Sequence, residues 1–309
     1  MATAVVARVP TPWTSIPVDD FASALLESLD RDLPAEYAQG VAASASPRPF
    51  LKWAGGKRQL IEQLLARIPA QHGTYHEPFL GGGALYYRLA PSQAVLSDLN
   101  DRLVRTYQAV RRDPEAVIDL LKTYPNDKAF YLQMRARDID AESDAVLASW
   151  MIYLNKTGFN GLYRVNKQGG FNVPFGKYSN PLICDPDNLR RCSAVLQQVD
   201  ILHTDFRSVE DRAEPGDFVY FDPPYVPVST TASFTSYTRD GFTLDDQQAL
   251  RDLALRLKSR GVHVLLSNAS VPVVHELYAE GFERIDVYAS RAINCDGAKR
   301  GKVAEALIW

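Results

Sequence analysis

The run Asp217-Phe218-Val219-Tyr220-Phe221 lies between Pro215-Gly216 and a pair of prolines, and it constrains this chain more than any other stretch. An apolar, aromatic and β-branched run with breakers on both sides reads as a buried strand that stops abruptly. The residues just past the stop are chemically pointed. Asp222-Pro223-Pro224-Tyr225 presents a carboxylate at the strand tip, then two prolines, then an aromatic ring. Prolines lack an N–H group, so their carbonyls are left as acceptors. Such a site suits a flat ring that carries an amino group: carboxylate and carbonyl accept its two N–H bonds, and Tyr225 covers its face. A strand ending in a plain turn could carry the same four residues, so the reading rests on the rest of the chain.

At 309 residues the chain can hold one large α/β domain plus an insertion. Its net charge of -3 gives no global sign of a nucleic-acid partner, so any basic surface must be local. Cys184, Cys192 and Cys295 form no CxxC pair and point to neither a disulfide framework nor a zinc site. No run reaches the length of a membrane span, and the N-terminus lacks a basic, apolar leader pattern. The expectation is a cytoplasmic protein.

Residues 1–48 are rich in Ala, Ser and Pro and read as a flexible extension, with one short helix from Val18 to about Asp30. Order is expected from Phe50-Leu51-Lys52-Trp53-Ala54-Gly55-Gly56-Lys57, where two glycines allow close backbone approach and Lys57 opens a helix through Leu65. The spacing is not GxxxxGK[ST], and Arg58 stands at the hydroxyl position, so a carboxylate or sulfonium ligand at Trp53 and Lys57 suits the stretch at least as well as a phosphate. Next, Thr74-Tyr75-His76-Glu77-Pro78-Phe79-Leu80-Gly81-Gly82-Gly83 and the helical Ala84–Leu89 supply strand, glycine turn and helix, the first βα unit of a Rossmann-like sheet. GxGxxG is absent. A second strand, Ala94–Ser97, ends in Asp98, 17 residues after Gly81. That spacing suits an acid reaching ribose hydroxyls; a helix-capping Asp fits it equally.

Helices are expected over Leu103–Val110, Pro114–Thr123, Lys128–Arg137 and Asp144–Tyr153, the last three beginning an insertion. From Ser149 to Ile183 there are four basic residues and no acid, with aromatics and amides between them. Turn signals at Asn160-Gly161 and Gln168-Gly169-Gly170, with alternation between, predict a β-hairpin over about 154–178. A two-stranded ribbon fits the major groove, and Arg and Asn are side chains that read guanine and adenine edges. The alternative is a solvated hairpin. The βα alternation then resumes: a helix over Asp187–Gln197, a strand Val199–His203 with its tip at Thr204-Asp205-Phe206, and the Asp-Pro-Pro-Tyr strand. A loop through Phe234 and Tyr237 comes after it. A helix begins in a capping-box-like Thr243/Asp246 pair and ends near Arg260, succeeded by a strand Val262–Leu266 with its tip at Ser267-Asn268. A helix Val271–Glu280, a strand Phe282–Tyr288, a basic loop Arg291–Lys302 and a closing strand Val303–Trp309 complete the chain.

Together these motifs resemble the Dam-type DNA adenine-N6 methyltransferases, the α-ordered class that uses S-adenosylmethionine. The resemblance covers about residues 50–309 and is carried by Phe50–Lys57, Glu77-Pro78-Phe79 with its glycines, Asp98-Leu99-Asn100, the Phe159–Gly176 hairpin, Asp222–Tyr225 and Arg291…Lys302-Val303. It implies a Rossmann-like catalytic domain from 49–113 and 183–309, with a helical and hairpin target-recognition insertion at 114–182. It implies cofactor contacts at Trp53, Lys57, Glu77, Phe79, Gly81, Asp98 and Asp222, with Asp205 and Phe206 near the cofactor's adenine, and no metal. Asp222, Pro223 and Tyr225 would be catalytic. Lys52, Phe159, Asn160, Leu162, Arg164, Asn166, Pro174 and Tyr178 would face double-stranded DNA, the target site being GATC or another sequence. A monomer is expected, with a cognate restriction endonuclease as a further candidate partner. Other readings are methylation of cytosine N4, an RNA base or a protein amide, a nicotinamide-dependent oxidoreductase, and a catalytically silent DNA-binding protein. Asp before Pro-Pro favours adenine, and the missing GxGxxG counts against the oxidoreductase.

Overall fold

A computed structural model describes residues 46–53, 55–57, 59–226, 242–290 and 302–309. The expected helix at 18–30, Arg58, the loop through Phe234 and Tyr237, Cys295 and the loop from Arg291 to residue 301 lie outside the described residues.

Seven strands form one sheet: β1 (Tyr75–Glu77), β2 (Ala94–Asp98), β3 (Val199–His203), β4 (Phe218–Phe221), β5 (His263–Ala269), β6 (Arg284–Ser290) and β7 (Lys302–Ile308), in the order β3-β2-β1-β4-β5-β7-β6. Neighbours from β3 through β5 pair parallel, whereas β7 runs antiparallel to both β5 and β6. This is the mixed sheet of a Rossmann-like methyltransferase fold. The expected final strand does not close an edge. It threads between β5 and β6, and β6 becomes the edge.

Both faces of the sheet are covered, which is why its strands read as continuous apolar runs instead of alternating ones. Phe218, Tyr220, Leu265 and Leu307 face one buried cluster; Val219, Phe221, Leu266 and Ile308 face the other. The flanking helices are α1 (Ile61–Leu65), α2 (Ala84–Leu89), α3 (Asp101–Arg112), α4 (Pro114–Thr123), α5 (Lys128–Ala136), α6 (Asp144–Thr157), α7 (Pro186–Leu196), α8 (Leu244–Ser259) and α9 (Pro272–Leu277). Leu250, Leu253, Ala254 and Leu257 of α8 supply the second cluster. Their spacing keeps them on one helical face. The expected capping box is present: Thr243 Oγ1 accepts from Asp246 N, and the Asp246 carboxylate accepts from Thr243 N. Asn100, Asp113, Asp127 and Asp185 cap α3, α4, α5 and α7 by simple side-chain acceptance from a first-turn N–H. Each such cap contributes about 0.5–2 kcal/mol.

Two local expectations need correction. Lys57 does not open a helix. Gly55 takes a left-handed φ of 79°, the Lys57 ammonium turns back to the Gly55 carbonyl, and α1 starts only at Ile61. The stretch expected as a hairpin pairs sparsely, through single bridges at Gly158–Phe175 and Val165–Phe171. The chain enters it through a 3-10 turn at Phe159–Gly161, where Asn160 and Gly161 have φ of 56° and 64°. Turns this tight interrupt a regular ladder.

Candidate active site

Parallel strands place their carboxyl ends on one side of a sheet, and ligands of open α/β sheets bind there. Glu77, Asp98 and Asp222 all stand at such ends. Glu305 joins them from β7, because an antiparallel strand brings its early residues to that same edge; Glu305 pairs with Ala269, the last residue of β5.

Four of the side chains make one cluster. Lys57, only 2% exposed, lies with Nζ 2.8 Å from Asp222 Oδ1 and 4.0 Å from Glu305 Oε2. The same Nζ is 4.7 Å from the centre of the Tyr225 ring, whose hydroxyl donates to Glu305 Oε2 at 2.6 Å. Burial pushes the Asp222 carboxyl up to about 6; the Lys57 ammonium pulls against that rise and Glu305 adds to it. The loop itself is pinned. Gln247 Nε2 donates to the Pro224 carbonyl at 3.0 Å, and Asn268 Nδ2 donates to Gln247 Oε1 at 3.0 Å. Asn268 Oδ1 accepts from Val226 N at 3.4 Å and Ala269 N at 2.8 Å. Both amide side chains are buried, where an unmade hydrogen bond costs about 1–3 kcal/mol, so the network fixes the loop's shape.

Beside this cluster lies the glycine turn. Gly81 and Gly83 take φ of 47° and 63°. A Cβ at Gly81 would sit 2.7 Å from Trp53 Cδ1, so the indole requires glycine there. Asp98 holds the turn: Oδ2 accepts from Gly81 N at 3.1 Å and Oδ1 from Asn100 N at 2.9 Å. Asp98 is therefore not the helix cap; Asn100 is, accepting from Leu103 N at 3.2 Å. Burial raises the Asp98 carboxyl in spite of these N–H donors. Glu77, 3% exposed, accepts from Tyr75 Oη at 2.8 Å, and burial pushes its carboxyl up to about 8. At neutral pH it is mostly protonated.

Phe79 and Phe206 stack at 5.3 Å and 25°, and Phe242 packs against both. Asp205 caps the short turn Phe206–Asp211, and its carboxylate is bridged to the Arg207 guanidinium at 3.0 and 3.1 Å. In this arrangement Asp205 shares its oxygens with Arg207.

The remaining predicted residues lie on the ribbon. Tyr163, Phe171 and Val173 are buried, while Leu162, Arg164, Asn166 and Pro174 alternate with them and keep solvent contact. Phe159 is 40% exposed, an unusual state for a large apolar ring. Arg164 Nη2 and Nε donate to the Asn172 carbonyl at 2.7 and 3.1 Å. Asn166 Oδ1 accepts from Gln168 N and Gly170 N, which makes Asn166 the lock of the ribbon's turn. Lys52 Nζ is 5.2 Å from the Tyr178 ring centre. Buried Asn155 ties Lys52 to the turn: its Oδ1 accepts from Lys52 N at 2.8 Å, and its Nδ2 donates to the carbonyls of Lys52 at 2.7 Å and Gly161 at 2.9 Å. Trp53 stacks on Tyr163 at 5.4 Å and 19°, so one indole touches both the glycine turn and the ribbon.

Sequence reasoning missed Gln247, Asn155 and Glu305. Asn155 and Glu305 each stand in or at the end of an apolar run, which is a signal, whereas Gln247 lies among other polar residues and carried none. Among the described residues, no group of His, Cys, Asp and Glu is placed to hold a metal ion, and no helix is long and apolar enough to cross a membrane.

The sequence is similar to that of known proteins. The family described as D12 class N6 adenine-specific DNA methyltransferase matches residues 53–293. Type II methyltransferase M1.LlaDCHI of Lactococcus lactis subsp. cremoris is 42% identical over 269 residues, spanning 84% of this chain and 94% of that protein. Type II methyltransferase M.MjaIII of Methanocaldococcus jannaschii is 41% identical over 275 residues, spanning 82% and 95%. The DNA adenine methylase of Escherichia coli (strain K12) is 33% identical over 264 residues, spanning 84% and 94%.

Proposed function

The chain belongs to the D12 class of N6 adenine-specific DNA methyltransferases, and we propose that its Asp222–Tyr225 loop receives a flipped-out adenine from a specific site in duplex DNA. The observation that carries the reading is the Lys57–Asp222–Tyr225–Glu305 cluster at the carboxyl edge of the sheet.

The family's cofactor, S-adenosylmethionine, supplies an electrophilic methyl group on a sulfonium centre. The residues fit a ligand carrying positive charge. Asp98, Asp222 and Glu305 outnumber Lys57, and Glu77 holds a proton that it can release as a cation arrives. Trp53, Lys57, Glu77, Gly81, Asp98 and Asp222 would hold the cofactor's amino acid and ribose. Phe79 and Phe206, with Asp205, would flank its adenine.

A paired adenine hides its amino group, so the base must leave the stack, at a cost of a few kcal/mol. Stacking on Tyr225 returns about 1–3 kcal/mol. Asp222 and the Pro223 carbonyl accept hydrogen bonds from the two N6–H groups and turn the nitrogen lone pair out of the ring plane. A carboxyl titrating at about 6 cannot deprotonate a neutral aryl amine. Its work is to orient the amine and to stabilise the positive charge that develops on nitrogen. Transfer would leave S-adenosyl-L-homocysteine, and the cationic N6 then gives its proton to the Asp222 carboxylate or to water.

The ribbon reads the DNA through Leu162, Arg164 and Pro174, with Asn160 and Asn166 shaping it, Phe159 beside the displaced base, and Lys52 and Tyr178 at its foot. Residues 114–182 then act as the recognition insertion in a catalytic domain of 49–113 and 183–309. The enzyme works as a monomer, with or without a cognate endonuclease. Mapping methyladenine in DNA from a methylation-free host tests the reading. Wild type should mark one sequence motif and Asp222→Ala none; equal methylation by the variant overturns it.

A further inference from the structure

The geometry points to Glu305 as a positioning residue for methyl transfer, one that fixes the ring of Tyr225 and divides Lys57 between two carboxylates. This inference rests on the proposed role of Asp222 and Tyr225. Glu305 Oε2 accepts from the Tyr225 hydroxyl at 2.6 Å, and the same oxygen is 4.0 Å from Lys57 Nζ. A tyrosine held only by packing can swing about its side-chain torsions. One held at its hydroxyl by a charged acceptor keeps its ring plane, and charge-assisted bonds of this kind are about twice as strong as neutral ones. A fixed plane is what a displaced base needs in order to stack.

The second task is electrostatic. Lys57 stands closer to Asp222 than to Glu305, at 2.8 Å against 4.0 Å. Without the Glu305 charge, the ammonium would answer Asp222 alone and weaken it as an acceptor for N6. The titratable groups around Asp222 are Lys57, Tyr75 and Glu77 of β1, Tyr220 of β4, Tyr225 and Glu305. Of the two carboxyls besides Asp222, Glu77 is mostly neutral at pH 7. Glu305 is the second carboxyl within ion-pair distance of Lys57, at 4.0 Å. Its effect on Asp222 is upward, in line with this division.

Two variants separate the two tasks. Glu305→Gln keeps an oxygen for the Tyr225 hydroxyl but removes the charge. Tyr225→Phe keeps the ring and removes the tether. Single-turnover methylation is followed against pH on a duplex carrying the mapped site, together with the fluorescence of a 2-aminopurine at the target position. Glu305→Gln should move the acidic limb of the rate below the wild-type position near 6, with DNA KM changed less than about threefold. Tyr225→Phe should leave that limb in place, lower the rate several-fold and alter the 2-aminopurine signal. Glu305→Asp should restore the limb toward wild type. An unmoved limb in Glu305→Gln, or a wild-type rate and fluorescence in Tyr225→Phe, overturns the inference. Asp222→Ala is measured alongside: if it is inactive while Glu305→Gln leaves the limb unmoved, Glu305 alone was misassigned. An active Asp222→Ala removes the underlying reading as well.

Discussion

Lys57 and Asp222 form a 2.8 Å ion pair between a strand tip and the glycine-containing segment that precedes α1. Charges withdrawn from water in this way are costly unless each meets a partner. The pair therefore ties the conformation of residues 55–57 to that of the Asp-Pro-Pro-Tyr loop. Substitution on either side should be felt on the other.

Asp222→Ala should lower methyl transfer by at least about 10²–10³-fold, the usual effect of removing a group aimed at developing charge. Asp222→Asn should be nearly as damaging, since it keeps one acceptor oxygen and loses the charge. Tritium transfer from labelled S-adenosylmethionine measures both. Activity within tenfold of wild type in Asp222→Ala would contradict the assigned role.

The wild-type rate should itself fall as pH drops through about 6, because the Asp222 carboxylate is then lost to protonation. A single-turnover rate that stays flat from pH 8 to pH 5 is the result that excludes this.

Glu77 makes a stability prediction of definite sign. Its carboxyl is raised to about 8 by burial, so the fold favours the neutral form. The contribution of that neutral form is full below the unfolded value near 4.3 and is lost as pH rises through about 8. Glu77→Gln cannot ionise, so relative to wild type it should gain stability between pH 5 and pH 9, by an amount on the order of a few kcal/mol. Urea denaturation at the two pH values checks this; a difference independent of pH would count against a neutral buried Glu77.

Gly81→Ala should disturb the indole of Trp53, which lies 2.7 Å from where the new Cβ would be, at a backbone φ of 47°. Left-handed strain alone costs on the order of 1–3 kcal/mol. Calorimetry should show weakened cofactor binding in Gly81→Ala and in Trp53→Ala, with DNA affinity changed less. Unchanged cofactor affinity in both would dismiss the glycine turn as a binding site.

Arg164 separates base reading from general attraction. Its guanidinium rests on the Asn172 carbonyl through Nε and Nη2. If it meets guanine, Arg164→Ala should cost about 1–3 kcal/mol at one base position and leave the others selective. A phosphate contact would instead weaken every sequence alike and lower the salt slope by about one unit. Methylation of duplexes that differ from the mapped site one base pair at a time decides between them.

Most of the sheet could be read from local runs. Val199–His203 is found as expected, and Ala94–Ser97 and Asp217–Phe221 lie within a residue of the observed strands. In each case an apolar run and its flanking breakers carry the whole signal. Pairing across distance was not legible in this way. Nothing near Glu305 says that it meets Tyr225, because that contact depends on β7 running backwards beside β5. Gln247 likewise looks like an ordinary polar residue of a helix until α8 is laid against the Asp-Pro-Pro-Tyr loop. The ribbon's composition led to the expectation of an interaction face; its tight turns spoiled the regular pairing that the alternation suggested.

The antiparallel insertion of β7 also sets an order of events during synthesis. Among the described residues β7 is the only strand beside β6, so β6 has no seat in the sheet until residues after it have been made. The same strand delivers Glu305 to Tyr225 and Lys57. A nascent chain that has already made its Asp-Pro-Pro-Tyr loop thus still lacks the tether for its tyrosine ring. Completing the sheet and seating the Tyr225 hydroxyl on Glu305 are one step.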